Sequence, residues 1–168
     1  GLRDAARVMV LGRVVETERL RTALAAGMNP TRAPRDIWAA AVGPPDKHSI
    51  EVVGSVLGAG APASAEIVAR AREEAALGAK RIRSTGRPTV QPIVEGAVAV
   101  VEALLSDSGS IFTVSVLDED DGDGLFYSVP CSLGRAGVLV QHRSGLPRDR
   151  LGPGLDQLRR IIAAHPDT

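Results

Sequence analysis

The sequence predicts an α+β fold in which twisted antiparallel strands pack against long helices. Two long stretches, 64–83 and 92–105, carry helical periodicity. The last third instead holds short apolar runs separated by turn residues. No strand–helix–strand alternation opens the chain, so a parallel sheet is not expected. The 168 residues suit a single domain over 1–168, large enough to bury a core without staples.

The elements follow in order. Residues 8–11 form a short β-branched, apolar run, read as a strand. Residues 17–26 place Leu20 and Leu24 four apart, which predicts a helix closed by Gly27. A turn-rich connection, 29–34, leads to 37–42, whose short apolar run predicts a buried strand. Gly43-Pro44-Pro45-Asp46 must be a loop, because neither proline can donate to a ladder. Residues 50–57 predict a short strand and 58–62 a loop. The helix over 64–83 carries Ile67, Ala71 and Ala75 on one stripe, and the helix over 92–105 carries Val94, Val98 and Val101. Pro92 fits a first helical turn. Strands are predicted over 111–117, 125–133 and 138–142, with Gly134-Arg135-Ala136-Gly137 as a tight hairpin turn. A closing helix covers 156–164, with Leu158 and Ile161 inward.

Composition excludes several function classes. Apolar residues make up 44% of the chain, so it can form a packed core. Aromatics are limited to Trp38, Phe112, Phe126 and Tyr127, which leaves the core to Val, Leu, Ile and Ala. Twenty basic residues balance twenty acidic ones. Zero net charge gives no electrostatic reason to expect nucleic acid or an anionic membrane as partner. No apolar run is long enough for a transmembrane helix, and residues 1–7 show no signal segment. A single cysteine, Cys131, cannot form an internal disulfide and fits a reducing, cytoplasmic setting. The nearest approach to a dinucleotide fingerprint, Gly58-Ala59-Gly60-Ala61-Pro62, breaks the required pattern, so this chain is not expected to hold a dinucleotide alone.

Three stretches together resemble the 2-hydroxyacid dehydrogenases of the lactate/malate type. The first runs Gly12-Arg13-Val14-Val15-Glu16-Thr17-Glu18-Arg19-Leu20-Arg21, similar to the family's L-D-T/S-A-R-F-R. The second joins Leu104-Leu105 to Ile111-Phe112-Thr113-Val114-Ser115-Val116-Leu117. The third is Tyr127-Ser128-Val129-Pro130-Cys131-Ser132-Leu133-Gly134-Arg135-Ala136-Gly137-Val138, similar to "ySvPvvlGrnGv". They fall in the family's order over nearly the whole chain. Gly1-Leu2 also resembles the opening of this half, which places the expected start at a domain boundary. The resemblance implies the C-terminal, substrate-binding half of such an enzyme, with NAD held by a Rossmann half that this chain lacks. It also implies a 2-keto or 2-hydroxy acid substrate and a homo-oligomer.

The resemblance assigns roles residue by residue. Arg19 stands at the carboxylate-binding arginine, whose planar fork matches a carboxylate with two hydrogen bonds. The plainer reading is a helix-surface arginine paired with Glu16, three residues away. Glu16 takes the place of the aspartate that orients the family's catalytic histidine; otherwise it is an acid favoured in a helix first turn. Thr89 stands where a threonine often lines the substrate pocket; otherwise it caps the helix that follows. The departure is in the loop after 37–42. The family reads G-E-H-G-D where this chain has Gly43-Pro44-Pro45-Asp46-Lys47, so Pro45 replaces the proton-donating histidine. His48 is three residues on, about 10 Å along an extended chain, and reads as an exposed loop residue. Loss of such an acid costs about 10²–10⁴ in rate. A pseudoenzyme kept for assembly or ligand sensing, or a stand-alone interaction module, are therefore alternatives.

Other candidates are weaker. Glu119, Asp121, Asp123 and Gly124 match calcium-loop offsets, but the twelfth position is Pro130 instead of a bidentate glutamate. His142 and His165 have no partners at zinc spacing, so no metal is expected. Cys131 reads as a buried, inert thiol. Arg70, Arg72, Lys80, Arg81 and Arg83 alternate with Glu66, Glu73 and Glu74, which reads as a solvated helix face.

Overall fold

The computed structural model describes residues 8–28, 33–43, 51–53, 63–117, 125–143 and the single positions 156, 159, 160 and 163. Its elements are α1 (Val14–Met28), a 3₁₀ turn (Pro34–Asp36), β1 (Ala40–Val42), β2 (Glu51–Val53), α2 (Ala65–Ser84), α3 (Val90–Ser106), β3 (Ile111–Leu117), β4 (Phe126–Gly134) and β5 (Gly137–Gln141). The architecture is the predicted α+β class. One antiparallel sheet has the order β3-β4-β5, and a second antiparallel pair joins β1 to β2.

β4 is the central strand although it contains Pro130. The Pro130 carbonyl accepts from the His142 N–H at 2.8 Å, and β5 ends at Gln141. A residue's N–H and C=O point to the same side of a strand, so the missing donor faces the end of β5 and costs the ladder with β3 nothing. The hairpin closes on Gly134 paired with Gly137, as its sequence predicts.

Two apolar clusters meet at β1. Ala40 and Val42 join Val14, Val100, Val114, Val116, Val129 and Leu133 in a cluster between the sheet, α1 and α3. Ala39 and Ala41 face the other way, into a cluster with Leu20, Leu24, Ala71 and Ala75 between α1 and α2. Strand side chains alternate, so a strand buried on both faces reads as an unbroken apolar run.

Several boundaries depart from the sequence reading. Residues 8–11 form no strand; Val10 makes an isolated bridge to Ser115, with backbone hydrogen bonds of 3.0 and 2.9 Å. Gly27 lies inside α1 instead of closing it. A Cβ there would meet Ile67 Cγ2 at 2.9 Å, so the glycine admits α2 instead of stopping α1. The run over 37–42 is a strand only from Ala40, because the 3₁₀ turn precedes it. In α2, Ser64 caps the helix by accepting from the Ile67 N–H at 3.3 Å; of the stripe Ile67, Ala71 and Ala75, the two alanines are buried and Ile67 is partly buried. In α3, however, Val94, Val98 and Val101 are about half exposed, and Val100 and Ala103 are buried instead. The spacing is helical, as α3 shows, but α3 is apolar on more than one face, and periodicity does not say which face is inward. Asp156, Arg159, Arg160 and Ala163 are helical, while Leu158 and Ile161 lie outside the described residues.

A buried hydroxyl network ties α1 to both sheets. The Thr17 hydroxyl donates to Thr113 Oγ1 at 2.9 Å and accepts from the Ala41 N–H at 3.1 Å. Thr17→Val keeps the shape but leaves the Ala41 donor without its partner. The expected cost is about 1–3 kcal/mol, read as a lowered urea midpoint at unchanged m-value.

Candidate functional site

The site begins with how α1 is held. Gly12 makes the turn into the helix at φ +59°, and the Arg13 N–H donates to the Thr113 carbonyl at 3.0 Å. Thr17, Leu20 and Leu24 then face the core. Arg19 is two positions beyond Thr17, about 200° around the helix. It must therefore point away from the sheet and toward α2.

It does so into a concavity of about 1220 Å³ walled by α1, α2 and α3, with Phe112 of β3 also lining it. That exceeds the roughly 300–1,000 Å³ of ordinary small-molecule sites, so this is a groove between helices and not a fitted socket. Arg19 is half-buried in its wall. Its side chain crosses α2 at Gly78: a Cβ on Gly78 would lie 2.7 Å from Arg19 Cδ, 2.8 Å from Nε and 3.1 Å from Cζ.

Carboxylates also line the groove, and most are engaged elsewhere. Glu18 Oε1 accepts from Arg21 at 2.9 Å, while Arg21 Nε donates to the Ala39 carbonyl at 3.0 Å. Glu74 is paired with Arg81, and its carboxyl is held below its ordinary range chiefly by that hydrogen bond. Glu95 Oε1 accepts from Gln91 at 2.9 Å. Among the described residues, the Arg19 side chain makes no hydrogen bond or ion pair. The pairing with Glu16 that helical spacing allows is not formed. The guanidinium is therefore not engaged by any described side chain.

The remaining sequence candidates are not all gathered here. Glu16 is half-buried near the start of α1 and is not part of the groove wall. Thr89 occupies the cap position of α3 but makes no side-chain cap hydrogen bond. It lies three residues before Pro92, which does line the groove. Gly43, next after β1, is buried and bridged to Ser128. Pro45 and His48 lie outside the described residues, as do 118–124 and His165. Sequence reasoning missed Gly78. Its signal was an isolated glycine within a strongly helical stretch, which usually has a packing or functional reason.

Cys131 is fully buried, and burial pushes its thiol up to about 12, against a smaller opposing effect from Arg143. A thiolate is the reactive form, so iodoacetamide at pH 8 is expected to leave the native protein unmodified and to label it in urea. The folded value lies above the unfolded one. This stabilisation is therefore full below about pH 8.5 and is lost as pH rises toward 12. His142 Nε2 shares a 2.8 Å hydrogen bond with Ser132 Oγ in the β4–β5 hairpin. No group of His, Cys, Asp and Glu suited to a metal occurs among the described residues. No described helix is long and apolar enough to cross a membrane.

The strand pairs among the described residues are antiparallel, and Gly58-Ala59-Gly60-Ala61-Pro62 lies outside them.

The fold is shared with the α+β portion of solved lactate and malate dehydrogenases. MGS-M5, a lactate dehydrogenase enzyme from a Medee basin deep-sea metagenome library, superposes with a TM-score of 0.82 at 21% identity, over 94% of this chain and 55% of its own. The malate dehydrogenase of Cryptosporidium parvum gives 0.79 at 18% identity, over 98% of this chain and 57% of its own. Identities this low establish a common fold and no more. The chain spans a little over half the length of both enzymes. No family profile matches it, and no curated protein sequence does.

Proposed function

We propose that this chain is the substrate-holding half of an NAD-dependent 2-hydroxyacid oxidoreductase of the lactate/malate type. The observation that carries the reading is Arg19, an arginine with no partner among the described residues, set in the wall of a groove between helices. Its fork suits the carboxylate of a 2-keto or 2-hydroxy acid. Thr89, at the head of α3, is assigned to the edge of the same pocket. NAD is assigned to a Rossmann half outside this chain, which supplies the redox chemistry; the chain's own part is to bind and orient the acid.

The surface of α3 supports such a partner. Val90, Ile93, Val94, Val98, Val101 and Leu105 are each about half exposed or more, an apolar ridge that an isolated domain rarely presents. The two solved enzymes extend well beyond the portion this chain matches, so a second half is the occupant proposed for the ridge. NADH oxidation with pyruvate and with oxaloacetate, measured on the longest natural chain, tests the reading. Turnover with either acid supports it.

Pro45 favours a second reading. With proline where the family places its proton donor, the groove would bind a 2-keto acid without reducing it. Tight oxamate binding with no turnover would select this pseudoenzyme. Absence of both binding and turnover would reject either form.

A further inference from the structure

We propose that Gly78 is the positioning residue for Arg19: the missing side chain on α2 leaves the slot across which the guanidinium reaches the groove. The inference rests on the reading that Arg19 receives a carboxylate, and it deepens that reading.

Gly78 sits in the interior of α2, in a segment otherwise rich in Ala, Glu and Arg. A glycine there disfavours the helix relative to alanine. Its backbone is not in the left-handed region, so no turn geometry requires it. What requires it is space. The three atoms nearest to a Cβ at this position are Arg19 Cδ, Nε and Cζ, at 2.7, 2.8 and 3.1 Å. All belong to the far end of one flexible side chain. An added methyl would therefore displace the guanidinium and leave the helix backbone in place. Gly27 and Gly96 differ, because a Cβ on either would meet the apolar side chains of Ile67 or Val14.

Glu74 and Arg81 lie four residues before Gly78 and three after, on one stripe of α2, and they are paired with each other. Glu74 is the carboxylate on that stripe, and Arg81 engages it. The slot gives the Arg19 side chain room on α2, beside a carboxylate that already has a partner.

Calorimetric titration with oxamate, NADH present, on the longest natural chain tests this. Wild type is expected to bind and Arg19→Gln to lose binding. Gly78→Ala is expected to weaken binding by about ten- to a hundredfold, because a displaced fork forfeits one of its two charge-assisted hydrogen bonds. Its Tm is expected to hold or rise, since alanine is the better helix former. Undiminished binding by Gly78→Ala beside a dead Arg19→Gln overturns the inference and spares the proposed function. Loss of folding by Gly78→Ala overturns it too, since the space would then serve helix packing. If wild type and Arg19→Gln are equally silent toward oxamate, the functional reading fails and takes this one with it.

Discussion

Replacing Arg19 with glutamine is expected to weaken affinity for a 2-keto acid by about 10²–10⁴-fold. A carboxylate held by two charge-assisted hydrogen bonds loses both, and each is worth about 1.5–3 kcal/mol. Glutamine keeps the polarity and most of the length but has neither charge nor fork. Arg19→Lys should fall between, because a point charge survives while the paired geometry does not. Stability should change little. Arg19 makes no ion pair among the described residues, so its removal strands no partner. Oxamate titration and thermal unfolding of the same samples separate the two effects. Equal affinities for wild type and Arg19→Gln would remove the groove from any account of binding.

Gly12→Ala is expected to cost about 2–5 kcal/mol of folding stability. The residue stands at φ +59°, where a side chain costs about 1–2 kcal/mol. Its Cβ would also fall 2.5 Å from the Ser115 backbone nitrogen and 2.9 Å from the Val114 carbonyl carbon. Those atoms belong to β3 and cannot swing aside, so overpacking adds about 1–3 kcal/mol. Gly109→Ala is the control. Gly109 has a similar φ, +67°, but nothing lies within 4 Å of the added carbon, so only the conformational part should appear. Urea midpoints of the two variants should therefore differ clearly. Because the Gly12 turn aims α1, the surviving folded fraction of Gly12→Ala should also bind oxamate less tightly.

Much of this was legible in the sequence where a local rule acts on contiguous residues. The helix beginning near Ser64, the Ala71 and Ala75 stripe and the Gly134–Gly137 hairpin each follow from neighbours within one or two turns of chain. The resemblance in residues 12–21 singles out Arg19 as the candidate carboxylate-binding residue. Legibility failed where a residue's role depends on something distant in the chain. Gly27 looked like a helix stop because nothing local announces that Ile67 packs on it. The valines of α3 have helical spacing, which does not reveal that they stay about half exposed. Glu16 and Arg19 looked like a ready ion pair because they are three residues apart, and the structure forms no such bond among the described residues.

The sequence alone determined the α+β class and the order of most of the described elements. Composition, periodicity and turn residues are properties of short stretches and survive without coordinates. Only the tertiary structure decided that Arg19 lies in the wall of a groove, that Glu18 and Glu74 are engaged by other arginines, and that Gly78 opens the way. Each of these depends on which surfaces of α1 and α2 come within van der Waals reach. Helix packing selects that contact, and no pattern within either helix encodes its partner.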